Sequence, residues 1–83
     1  MYLLLLKNPF AVEQEKTGKV FTDKLAAIKE GHEFIKRVVH GDALSLYLDR
    51  FSPEIQIEKL IAIEKESAQV IDLSEQKEFE VYP

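Results

Sequence analysis

The stretch from Phe21 to Gly41 is the part of this chain that leaves folding the least choice. Leu25, Ile28, His32, Ile35 and Val39 recur at three-to-four spacing, and Gly31, Phe34 and Val38 widen the same stripe. Lys29, Glu30, Glu33, Lys36 and Arg37 fall on the other side. That pattern predicts an amphipathic helix over about residues 22–40 with one buried face. Thr22 or Asp23 is the candidate N-cap, because either side chain can accept from a first-turn amide. His40-Gly41 is the stop signal. Gly31 lies inside the apolar stripe, at a cost of about 1 kcal/mol against Ala. A missing side chain there lets the helix come close to whatever it covers.

The rest of the chain reads mainly as strand. Tyr2 to Leu6 is a continuous apolar run, the pattern of a central strand buried on both faces. Asn8-Pro9 breaks it. Phe10 to Gln14 alternates, Lys16-Thr17-Gly18-Lys19 reads as a turn, and Val20-Phe21 returns, which together suggest a hairpin. From Ala43 to Asp49, Leu44, Leu46 and Leu48 share one parity, the signature of a half-buried strand. Ser52-Pro53-Glu54 is a good helix start, yet Ile55, Ile57, Ile61 and Ile63 also keep one parity. A helix would strand Ile55 and Ile63 and place Glu64 in its stripe, so the expectation is a long strand bent near Lys59-Leu60. Gln69 to Leu73 is a further short strand, Ser74 to Lys77 a polar loop, and Phe79 to Tyr82 a last edge strand. The expected fold is α+β: a small antiparallel sheet of about five strands with one helix packed on one face, all in a single domain over residues 1–83.

A domain of 83 residues buries only about 60 % of the surface its unfolded chain exposes, so a thin core is expected. There is no cysteine, which removes disulfides and thiolate zinc sites and fits a reducing, cytoplasmic setting. The opening apolar run is too short for a secretory segment and lacks a basic lead. No run reaches membrane-spanning length. The formal charge of −4 is uneven, with net +1 over residues 1–53 and −5 over residues 54–83. An acidic C-terminal half repels phosphate backbones and favours solubility.

Motifs that carry chemistry are scarce. His32 lies within the apolar stripe and could serve a small-molecule ligand or an enzymatic step, though no Ser, Cys or Asp partner stands at a triad spacing. His32 and His40 are about two helical turns apart and point in different directions, so they cannot chelate one ion, and no Asp-rich calcium loop is present. No metal or cofactor is expected. Lys-Thr-Gly at residues 16–18 lacks the phosphate-loop spacing. Lys29, Lys36 and Arg37 form a basic tendency on the helix, net +3 over residues 16–40; this is the candidate nucleic-acid surface, weighed down by an overall pI near 5.1. Asp49-Arg50-Phe51 gathers charge and an aromatic ring at a loop, with nothing converging on it.

Open sheet edges are the more physical clue, since unpaired backbone groups invite a partner strand. Phe79, Val81 and Tyr82 on the last strand are the candidate partner contacts. The leading functional expectation is a non-enzymatic interaction domain of adaptor or regulatory type. It would be homodimeric or bound to a protein partner, through a sheet edge or through the acidic C-terminal half. A His32 ligand site and nucleic-acid binding are the alternatives.

Overall fold

A computed structural model describes residues 1–10 and 16–81. The elements run β1 (Tyr2–Lys7), β2 (Lys16–Phe21), α1 (Lys24–Val39), α2 (Asp42–Leu48), α3 (Pro53–Ser67), β3 (Ala68–Asp72) and β4 (Lys77–Glu80). The fold is α+β, with a four-stranded antiparallel sheet in the order β2-β1-β3-β4. The apolar run of β1 therefore occupies a central position, as its composition requires. The sheet has four strands rather than about five, and three helices stand among the described residues instead of one.

Helix α1 forms where the periodicity places it. Asp23 is the N-cap, its Oδ1 accepting from the Leu25 amide at 3.0 Å. The buried positions are Ala27, Gly31, Ile35 and Val38, one residue in each turn. Leu25, expected in the stripe, lies in the first turn and is 74 % exposed. Gly31 does what its place in the stripe suggests: a Cβ added there would stand 2.5 Å from Val81 Cγ1 and 3.3 Å from Leu4 Cδ1. The helix thus rests directly on β1 and on the chain leaving β4.

Two expected strands are helices. Residues 42–48 form α2, in which Leu44, Tyr47 and Leu48 turn inward and Leu46 stays 69 % exposed. Residues 53–67 form α3, opened by Pro53 in the first turn. Its inner face is made by Gln56, Leu60, Ile63, Glu64 and Ser67, so of the four isoleucines of one parity Ile63 alone turns inward. Ile55, Ile57 and Ile61 face outward. The polar members of the inner face are accommodated locally: Ser67 Oγ donates to the Ile63 carbonyl at 2.6 Å and Gln56 Nε2 to the Phe51 carbonyl at 2.8 Å. Burial pushes the Glu64 carboxyl above its ordinary value.

Lys16 to Lys19, expected as a turn, belongs to β2 and pairs with β1 in the register Lys7↔Lys16 to Tyr2↔Phe21. The strand expected over Phe10 to Gln14 falls largely on residues 11–15, outside the described residues. The loop from Leu73 to Gln76 closes the β3–β4 hairpin, with Gln76 at φ 54°. Asp72 Oδ1 caps that turn by accepting from the Ser74 amide at 2.9 Å.

Two apolar clusters result. Leu4, Ala27, Ile35, Ala68, Val70 and Val81 fill the space between sheet and α1. Val38, Leu44 and Ile63 join the C-terminal part of α1 to α2 and α3. Phe10, Tyr47 and Phe51 stack edge to face beside the second cluster, at 5.8 and 5.3 Å between centroids.

Candidate interaction surface

The sheet has one covered face and one open face, and the register assigns residues to each. Tyr2, Leu4 and Leu6 of β1 point toward the helices, with Phe21 of β2, Ala68 and Val70 of β3 and Phe79 of β4. Residues of the other parity make the open face. One row across it reads Val20, Leu3, Ile71, Glu78. The next reads Gly18, Leu5, Gln69. Met1 and Leu73 extend the face at one end, where the Leu73 amide donates to the Met1 carbonyl at 2.9 Å. Gly18 confirms the assignment, because a Cβ there would meet Leu3 Cδ1 at 3.4 Å and Leu5 Cδ2 at 3.6 Å.

Six apolar residues thus share a face that no described helix covers: Met1, Leu3, Leu5, Val20, Ile71 and Leu73. None of them is fully buried, and Met1, Val20 and Leu73 are 60, 49 and 45 % exposed. At the far end Lys7 pairs with Glu66 of α3. Leu5, Leu6, Lys7, Glu66 and Gln69 line a notch of about 90 Å³ there. Small-molecule pockets begin at roughly 300 Å³, so the notch suits a side chain rather than a ligand.

The charges at the two margins differ. Strand β4 presents the exposed Glu78 to the open side, whereas Lys19 of β2 lies on the covered side. On the covered side the margins are closed by local pairs. Lys19 Nζ meets Glu30 Oε1 at 3.0 Å, and Lys24 Nζ lies 3.7 Å from the centroid of the Phe79 ring.

The residues singled out in the sequence lie elsewhere. His32 is half-buried on α1, beside the contact made by Gly31, and its imidazole makes no hydrogen bond or ion pair among the described residues. Lys29, Lys36 and Arg37 are brought together on an exposed side of α1, with the exposed Glu33 set between them by helical spacing. Arg37 lies over the Phe34 ring at 5.7 Å. Val81 is 1 % exposed and packs against Gly31. Phe79 is half-buried on the covered face. Neither side chain projects from the β4 edge as the sequence suggested, because the parity of that strand turns Phe79 inward and the chain beyond it turns Val81 under α1. Tyr82 lies outside the described residues. Phe51, noted with Asp49 and Arg50, is instead a packing residue, with Lys59 Nζ 5.3 Å from its ring centroid. Among the described residues no three His, Asp or Glu side chains converge as a metal site, and no helix is long and apolar enough to cross a membrane.

The open face is what sequence reasoning missed. Its signal was the run Leu3-Leu4-Leu5-Leu6, read as evidence of burial on both sides. Comparison of the chain with protein-family profiles, curated proteins and solved structures gives no match.

Proposed function

We propose that the chain is a non-enzymatic protein-interaction domain that works through the open face of its sheet. The supporting observation is the mismatch between β1 and its surroundings. A sheet covered on one side normally alternates apolar-in and polar-out. Strand β1 does not alternate: Leu3 and Leu5 are as apolar as Leu4 and Leu6, yet they point away from α1 and stay partly exposed. Six apolar side chains contiguous across three strands form the kind of patch that marks a binding surface.

The face is a better candidate than the β4 edge. Adding a second copy at that edge about a two-fold axis normal to the sheet brings residues of like parity together. In the register centred on Glu78, Glu78 of one copy then meets Glu78 of the other, and like charges directly opposite are unfavourable. Glu78 guards this edge against self-pairing in the way edge charges commonly do.

Native mass spectrometry of gently purified protein tests the reading. The expected result is a species heavier than the monomer, either a dimer or a complex with another protein, which is lost on Val20→Lys. Val20 is half exposed, so this substitution leaves the core intact. A bare monomer for both proteins, with the same circular dichroism, would overturn the reading.

A further inference from the structure

We draw no further inference here: the strongest candidate, the apolar open face of the sheet around Leu3, Leu5, Val20 and Ile71, belongs to the surface already described, and nothing in the structure shows what covers it.

Discussion

Gly31 is held by a distance rather than by backbone conformation. A methyl group at this position would stand 2.5 Å from Val81 Cγ1, and a valine at a packed position has little freedom to withdraw. Gly31→Ala gains about 1 kcal/mol of helix propensity, against an overpacking cost of about 1–3 kcal/mol. A net loss of about 1 kcal/mol is therefore expected in urea unfolding. In a Val81→Ala background the same substitution should become neutral or stabilising, and a double-mutant cycle measures that coupling. Glu64 behaves differently, because its carboxyl titrates above its ordinary value through burial. The folded state then binds the proton more tightly than the unfolded state. Stability falls as pH rises through the window between the unfolded value and the raised folded one. Glu64→Gln should raise the midpoint of thermal unfolding at pH 7 and lose that advantage below the unfolded carboxylate range, by an amount within about 1 kcal/mol. The place of Gly31 was legible in the sequence because a helical stripe has no other use for a glycine. The place of Glu64 was not, since reading it as an intruder in a stripe was the reason for rejecting the helix that contains it.

Elements α2 and α3 show why periodicity misleads in short segments. Leu44 and Leu48 satisfy both a two-residue and a four-residue repeat, so only position 46 against position 47 separates strand from helix. The tyrosine at 47 is amphipathic and looked like a solvent-facing residue, yet its ring packs between Phe10 and Phe51. Leu44→Ala should therefore cost about 2–4 kcal/mol, and Leu46→Ala should stay within about 0.5 kcal/mol. A strand would make the two equivalent, and urea titration of both variants distinguishes them. In α3 the isoleucine parity at 55, 57, 61 and 63 is an accident of composition, and Pro53 together with the Glu, Lys, Gln, Leu and Ala around the isoleucines decides for helix. The long α1, by contrast, was readable, because four turns of pattern overdetermine it. The strands β3 and β4 were legible for a related reason: turn residues 74–76 separate them. The open face escaped because a run of leucines does not say which of its two sides will be covered.

The whole molecule is longer than a globule of its size. Its radius of gyration is 13.5 Å and its extents are 41 × 25 × 18 Å, against about 12 Å expected for a compact chain of this length. Helix α1 is the spine, since it contributes Ala27 and Ile35 to one apolar cluster and Val38 to the other. Among the described residues the second cluster has three buried members and the first has six, so their resistance to opening should differ. Native-state hydrogen exchange should show α2 amides opening at lower free energy than those of β1 and β3. Uniform protection across both would contradict this division.

The central position of β1 has a consequence for the order of folding. Its hairpin with β2 closes a short loop, but its pairing with β3 joins Leu4 to Val70, almost the whole chain apart. Three helices lie between the two strands in sequence, so this ladder rests on long-range contacts and is expected to form more slowly than the hairpin. Until then the second edge of β1 stays bare, its leucines open on both sides. The strand that anchors the finished sheet is thus its most adhesive part during folding, and substitutions in β3 should lengthen that exposure more than equally destabilising ones in β2.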